Sequence, residues 1–263
     1  MLSKRIISAL IGIPFLIFIV FIGDVYFALA VFLLTLLALL EFRNIINNSQ
    51  CQAIALLLWL SALLIPLAIL LEYNYILSIF IIYLIFSWSY YLVYFSRFTP
   101  LDLSLTLLGV IYIFTGFVHL LLLRNLPEGF WLVMYVFVVV WGTDTGAYFT
   151  GLTIGKHKLA PLISPKKTWE GFVGGLIFGV FAAYIYSIYA PLTAGKSLLY
   201  IAPFVSLAGQ LGDLFASSLK RFGKIKDSGQ LIPGHGGVLD RFDSTLWAAP
   251  ITYYFLIIIE RLM

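Results

Sequence analysis

Charged residues are concentrated in one short stretch of this otherwise apolar chain, residues 217–243. The stretch contains five of the 16 Lys and Arg residues, three of the 12 acids and one of the three histidines. A set of carboxylates without a Cys or His cluster favours magnesium over zinc. Lysines and arginines beside such an ion are typical of a site that neutralises phosphate oxygens while a phosphorus atom reacts. The stretch therefore predicts a site for a polyanion and a metal ion.

Two further acids lie inside apolar segments that precede this stretch, Asp144 and Asp213. At about 100° per residue, Asp213 shares one helical face with Ser217 and Lys220. A carboxylate within the bilayer costs about 2.5–3.5 kcal/mol unless it is paired or lines a wet cavity. Two interpretations of Asp144 follow, an ion pair with a lysine or a role as a metal or substrate ligand.

A second polar block covers residues 164–171 and contains Lys166 and Lys167. Ser164 followed by Pro165 is typical of a helix start, so we expect both lysines in the first helical turn. Backbone N–H groups and the helix dipole would make that turn an anion site, although both lysines could instead only orient the chain in the membrane. Four glycines then favour close helix packing, inside one chain or between two copies: Gly171, Gly174, Gly175 and Gly179.

The elements that must position these residues are membrane helices. The chain is 62% hydrophobic and 11% charged, whereas soluble domains carry about 25% charged residues. Its apolar segments are long enough to span a bilayer, and lipid forces such segments into helices. We expect an all-α integral membrane protein with about nine transmembrane helices. The nine segments are 5–23, 25–42, 53–71, 75–95, 103–123, 130–150, 170–190, 198–219 and 241–260.

The distribution of positive charge predicts how these helices are oriented. If every second loop lies on the side of the N-terminus, 13 of the 16 Lys and Arg residues fall on that side, against Arg124, Lys196 and Arg261. The positive-inside rule then places the N-terminus in the cytoplasm. We expect a multi-pass protein of the cell (inner or plasma) membrane, without a nucleic-acid partner. Residues 1–125 would supply about five helices, and residues 126–263 would form the catalytic region with about four.

The stretch 217–243 resembles the signature of phosphatidate cytidylyltransferases, also called CDP-diacylglycerol synthases. The residues that match are Ser217, Lys220, Arg221, Lys226, Asp227, Gly229, Pro233, His235, Gly236, Gly237, Asp240, Arg241 and Asp243. The block Ser164 to Gly171 resembles the same family. The first half of the chain carries no comparable motif.

The resemblance implies a reaction and a site. CTP and phosphatidic acid would give CDP-diacylglycerol and pyrophosphate in phospholipid biosynthesis, on the cytoplasmic side, with lipid entering from the bilayer. The implied cofactor is one magnesium ion, or two. Its implied ligands are Asp213 and Asp240, with Asp144 as a third candidate. The implied catalytic residues are Asp213, Asp240, Lys220, Arg221, Lys226 and His235. The implied substrate-binding residues are Lys166, Lys167, Thr168, Glu170, Ser217, Asp227, Gly236, Gly237, Arg241 and Asp243.

Several alternatives stay open at this point. His235 could donate a hydrogen bond to phosphate, act as a base or only shape its loop. A CTP-dependent polyprenol or phytol kinase would use similar residues but would transfer the γ-phosphoryl group to an alcohol. An ion-coupled transporter is a further alternative, but such proteins usually show repeat symmetry, and here the interior charge lies in one half. The glycine faces are also compatible with a homodimer.

Overall fold

A computed structural model of the chain describes residues 2–71, 75–192, 195–229 and 236–262. Its helices are α1 (Leu2–Ile22), α2 (Asp24–Asn47), α3 (Ala55–Ala62), α4 (Leu64–Leu70), α5 (Ile76–Val93), α6 (Pro100–Asn125), α7 (Gly129–Thr153), α8 (Trp169–Tyr189), α9 (Gly195–Phe222) and α10 (Leu239–Leu262). Two short antiparallel strands, β1 (Lys158–Ala160) and β2 (Ser164–Thr168), lie between α7 and α8.

Every apolar segment predicted from the sequence is helical, and the third is divided in two. Pro66 has no N–H to donate to the carbonyl of Ala62, so the helix is interrupted at Leu63. Within the described residues, six helices are long and apolar enough to cross a membrane, namely α2, α5, α6, α7, α8 and α9. The all-α membrane architecture is therefore confirmed apart from one small hairpin, whereas the number nine and the orientation stay predictions.

The chain divides into two compact units. The first comprises Met1–Leu121 and Leu219–Arg241. In this unit α2 contacts α1, α3 and α4, and Gly109 of α6 packs directly on the ring of Phe42. The backbone at Gly223, just after α9, packs against Ile45 of α2. Helix α2 thus lies at the centre of the first unit.

The second unit comprises Leu122–Ser218 and Phe242–Met263, and within it α7 and α8 pack closely. Gly146 of α7 lies against Phe178 of α8, and Gly174 and Gly179 of α8 lie against Thr150 and Thr143 of α7. A side chain on any of these glycines would collide with its neighbour. The predicted close packing is confirmed within one chain, so these glycines lend no support to the homodimer, which stays a prediction.

The expected helix start at Ser164 is wrong. Ser164 to Thr168 form strand β2, which pairs with β1 in the register Lys158 with Thr168 and Ala160 with Ser164. A residue before proline is biased towards extended backbone, and the side chain of Thr168 caps α8 by accepting a hydrogen bond from Gly171 N at 3.1 Å. The two lysines of this block therefore lie on a strand, and not in the first turn of a helix.

Candidate functional site

The second unit contains a cavity of about 580 Å³ that collects several residues singled out in the sequence. Helix α7, the hairpin, α8 and α9 all contribute to its wall. The lining residues are Asp144, Ala147, Tyr148, Gly151, Leu152, Lys158, Leu159, Lys166, Lys167, Thr168, Phe172, Gln210 and Asp213. Two acids and three lysines therefore line one largely apolar cavity.

Lys167 and Asp213 form an ion pair across this cavity, with 2.8 Å between Lys167 Nζ and Asp213 Oδ2. Their side chains are 26% and 34% exposed, respectively. Ser217, one turn further along α9, donates a weaker hydrogen bond to Asp213 Oδ1 at 3.3 Å. Because neither charge is fully buried, a ligand that enters the cavity can reach both of them.

Polar contacts between helices hold the wall of the cavity in place. Gln210 Nε2 of α9 donates to the carbonyl of Phe172 in α8 at 3.1 Å. The hydroxyls of Thr143 in α7 and Ser206 in α9 lie 2.7 Å apart and are buried. Buried polar groups with satisfied partners fix the relative positions of the elements that carry them. Asp213 is thus carried by a helix that is tied to α7 and α8.

Glu170 holds the start of the hairpin. Its carboxylate accepts hydrogen bonds from the backbone N–H of Lys156, at 3.1 Å, and of His157, and it lies 2.6 Å from His157 Nδ1. The structure therefore gives Glu170 a local structural partner, and Thr168 a capping role beside its place in the cavity wall. Their predicted substrate-binding roles stay predictions.

Asp240 forms the second charged centre, which lies in the first unit. Its Oδ1 accepts a hydrogen bond from Lys220 Nζ at 2.5 Å, and its Oδ2 accepts from Ser228 N at 2.8 Å and Gly237 N at 3.0 Å. The Asp240 and Lys220 side chains are only 7% and 12% exposed. Burial alone raises the pKa of the Asp240 carboxyl, but the hydrogen bonds from Gly237, Lys220 and Ser228 together lower it below its ordinary value. These hydrogen bonds therefore favour the ionised form of Asp240.

Glu41 of α2 joins this centre, although it is not among the site residues predicted from the sequence. Its side chain is buried and accepts hydrogen bonds from Ser228 Oγ, Val238 N and Leu239 N at 2.7, 2.7 and 2.9 Å. The signal was present, because Glu41 is the one acid within the apolar segment 25–42. An acid in such a segment is expected to have a specific partner.

A smaller polar cavity of about 450 Å³ also belongs to the first unit. Its lining residues are Asn44, Asn47, Asn48, Ile225, Lys226, Asp227, Ser228 and Gly229. The side chains of Lys226 and Asp227 are exposed. Arg221 Nη1 donates to the carbonyl of Ile225 at 3.0 Å and thereby supports the turn that carries them.

The remaining predicted residues have local roles in the structure. Gly236 adopts a φ of +84°, which glycine tolerates without strain, and it lies directly beside Asp240. Gly237 lies directly beside the Glu41 carboxylate. In the second unit Asp243 is buried, and its Oδ1 accepts a hydrogen bond from the following backbone N–H at 2.8 Å. The backbone N–H of Arg241 donates to Val238 O at 3.0 Å in the first turn of α10, and His235 lies outside the described residues.

The profile of the Cytidylyltransferase family matches residues 3–259 of this chain. The chain belongs to the cytidylyltransferase family. It is 45% identical to the phosphatidate cytidylyltransferase of Staphylococcus saprophyticus over 163 aligned residues, and these make up 62% of each chain. It is 46% identical over 163 residues to that of Bacillus subtilis, 61% of each chain, and 44% identical over 164 residues to that of Staphylococcus aureus (strain COL), 62% of each. The aligned region thus spans about 62% of the length of such relatives.

The donor atoms of this cytidylyltransferase-family chain fit a magnesium ion that takes part of its coordination from a substrate. Among the described residues, no three His, Cys, Asp or Glu side chains form a ready-made metal centre. Magnesium, however, is commonly held by one or two carboxylates together with water and substrate phosphates. Asp144 and Asp213 supply two carboxylates to one cavity that also holds lysines. This set suits a metal ion that arrives with a nucleoside triphosphate.

Proposed function

We propose that this chain transfers the cytidylyl group of CTP to phosphatidic acid and releases CDP-diacylglycerol and pyrophosphate. The observation that carries the proposal is the family match over residues 3–259. Relatives that are 44–46% identical are phosphatidate cytidylyltransferases, which supports phosphatidate as the acceptor. A polyprenol or phytol kinase and a transporter are not favoured by these relatives.

The reaction requires charge neutralisation more than proton transfer. An oxygen of the lipid phosphate attacks the α-phosphorus of CTP, and the bond from that phosphorus to the β-phosphate oxygen breaks. The electron pair leaves with pyrophosphate. A phosphate monoester has a second pKa of about 6, by analogy with phosphoserine, so the acceptor is largely ionised near pH 7. The nucleophile is thus already anionic, and a general base is not needed.

Within the cavity of the second unit, the lysines would neutralise phosphate oxygens. An incoming phosphate would compete with Asp213 for Lys167, whose ion pair is partly exposed. Asp213, with Asp144 on α7, would then hold one magnesium ion, or two. That ion would stabilise negative charge on the reacting phosphate oxygens. Lys166 would add positive charge at the same cavity.

Within the first unit, Asp240 is the other proposed metal-binding acid, and Lys220 is its charged partner. Lys226 and Asp227 line the polar cavity and are proposed to contact a substrate. Arg221 is retained as a catalytic residue that would hold a phosphate group, and Arg241 as a substrate-binding residue. The proposal also retains Ser217, Thr168, Glu170, Gly236, Gly237 and Asp243 as substrate-binding residues and His235 as a catalytic residue.

The proposed orientation in the membrane follows from the charge distribution. Nine spans with a cytoplasmic N-terminus would place both cation-rich loops of the second half in the cytoplasm, where CTP is available. The chain has a single cysteine, Cys51, on the loop between the second and third apolar segments. In intact cells Cys51 should resist a membrane-impermeant thiol reagent. Pro127→Cys in a Cys51→Ser background should react, and the reverse pattern would overturn the orientation.

The reaction is tested on purified protein in detergent with CTP, phosphatidic acid and magnesium. We expect pyrophosphate and lipid-bound cytidine in equal amounts, and neither product after addition of EDTA. Release of CDP instead of pyrophosphate would identify a kinase and overturn the proposal. The absence of both products from a folded protein would also overturn it.

A further inference from the structure

Glu41 connects two parts of the chain that lie on either side of the Gly-rich segment 229–237. Its partners Ser228, Val238 and Leu239 are 187, 197 and 198 residues away along the chain. Ser228 precedes the segment, whereas Val238 and Leu239 follow it and lead into α10. A single carboxylate therefore binds the residues that flank this segment to α2.

The backbone comes so close to Glu41 that a Cβ atom on either side would displace its carboxylate. A Cβ atom at Gly229 would lie 2.8 Å from Glu41 Oε1. A Cβ atom at Gly237 would collide with both carboxylate oxygens. Gly229 and Gly237, which both match the family signature, are therefore close to a side chain of this protein.

Ser228 connects Glu41 to Asp240. Its Oγ lies 2.7 Å from Glu41 Oε2 and 3.0 Å from Asp240 Oδ2. A hydroxyl has one proton to donate, and the shorter distance favours donation to Glu41. The backbone N–H of Ser228 then remains as a donor to Asp240, at 2.8 Å. Any shift of Ser228 would thus change the position of the Asp240 carboxylate beside Lys220.

We propose that Glu41 is a positioning residue, which acts through Ser228 and the N-terminus of α10 to hold Asp240 beside Lys220. A carboxylate suits this role because it only accepts hydrogen bonds, and all three partners are donors. Its negative charge is also favourable at a helix N-terminus. A glutamine would present an N–H₂ group to at least one of these donors.

The test compares three variants with the wild type: Glu41→Gln, Ser228→Ala and Thr35→Val. Thr35 is the matched control, because it is buried on the same helix but donates only to Val31 O in its own helix. By analogy with groups that orient functional ligands, we expect Glu41→Gln to lower kcat by about 10–100-fold. We expect a smaller loss for Ser228→Ala and none for Thr35→Val. The KM for CTP should change little, because Glu41 lines neither of the two cavities described above.

Hydrogen exchange supplies a readout that does not depend on activity. The amides of Val238 and Leu239 should exchange faster in Glu41→Gln and at the wild-type rate in Thr35→Val. This part of the inference stands apart from the proposed reaction, whereas the kcat part rests on it. If the wild type forms no lipid-bound cytidine, the proposed function fails, and the exchange rates alone decide on the link through Glu41.

Three results would overturn the inference. The first is unchanged exchange at Val238 and Leu239 in Glu41→Gln. The second is a lower melting temperature of Glu41→Gln with wild-type kcat per folded molecule, which would make Glu41 merely structural. If Glu41→Gln does not fold, the inference is tested on Ser228→Ala instead. The third result is then a wild-type kcat in Ser228→Ala.

Discussion

Lys167 Nζ on β2 lies 2.8 Å from Asp213 Oδ2 on α9, at the edge of the cavity of the second unit. Both side chains are partly exposed. Ion pairs of this kind usually contribute no more than about 1 kcal/mol to stability. Removing the pair should therefore have little effect on folding, which separates its contribution to stability from the ligand-binding role proposed for the two charges.

A double-mutant cycle tests whether Lys167 and Asp213 act on ligands or only on each other. We expect Lys167→Met to raise the KM for CTP and Asp213→Asn to lower kcat, each by at least about tenfold, or about 1.4 kcal/mol. If both charges bind ligands, the double variant should be at least as impaired as the worse single variant. Recovery of activity in the double variant would show that the single losses arose from an unpaired charge.

Asp240→Asn should abolish activity while the protein remains folded. The change removes a negative charge but keeps the shape of the side chain, so Lys220 loses its ionic partner. The matched control is Asp102→Asn, another buried acid, which accepts hydrogen bonds from the backbone of Gln52 and Thr99. Asp102→Asn weakens these hydrogen bonds and should cost about 1 kcal/mol of stability, the usual net value of one hydrogen bond, without a change in kcat.

Product formation and melting temperature should be measured on the same preparations of Asp240→Asn and Asp102→Asn. Full activity of folded Asp240→Asn would contradict the proposed role of this carboxylate. Equal loss of activity in both variants would mean that the assay reports general damage.

The membrane helices and the cavity acids could be predicted from the sequence because their signals are local. Apolar length gives the helices, and a carboxylate such as Asp144 or Asp213 in an apolar segment indicates a wet cavity. The strand at Lys166 and Lys167 was missed because Ser164-Pro165 is common to helix starts and to extended chain. The cap at Thr168 and the pairing with β1 decide between the two, and pairing is a tertiary property.

Glu41 shows what a local pattern cannot provide. Its partners are 187 or more residues away, so no spacing rule joins them. The glycines at 229 and 237 match the family signature, but a glycine pattern does not say which group the backbone approaches. The structure shows that both glycines lie against Glu41 of α2.

Because α7 and α8 pack closely, the loss of stability on replacing a glycine should depend strongly on where that glycine lies. Gly179 lies against Thr143 and Ser206, and a Cβ atom there would lie 2.7 Å from Ser206 Oγ. A Cβ atom at Gly12 of α1 would have no neighbour within 4 Å. We expect Gly179→Ala to destabilise the protein by about 1–3 kcal/mol, as overpacking usually does, and Gly12→Ala to be neutral or stabilising. Thermal unfolding in detergent measures both, and equal melting temperatures would contradict the packing.

Lys226 should contribute to CTP binding and not to the chemical step. It is exposed and lines the polar cavity of the first unit, so a phosphate contact there would persist from bound substrate to transition state. Loss of such a contact raises KM and leaves kcat unchanged. We expect Lys226→Ala to raise the KM for CTP about tenfold, with a smaller difference at high salt, because salt screens exposed charges.

The control for Lys226 is Lys224→Asn, which removes a nearby charge of the same sign. Lys224 has a φ of +56°, a conformation that asparagine tolerates better than most residues, so the backbone should be retained. Lys224 does not line the polar cavity, and its loss should change the KM for CTP by less than twofold. A tenfold rise in both variants would attribute the effect to the overall positive field. An unchanged KM in Lys226→Ala would leave this lysine only its role in membrane orientation.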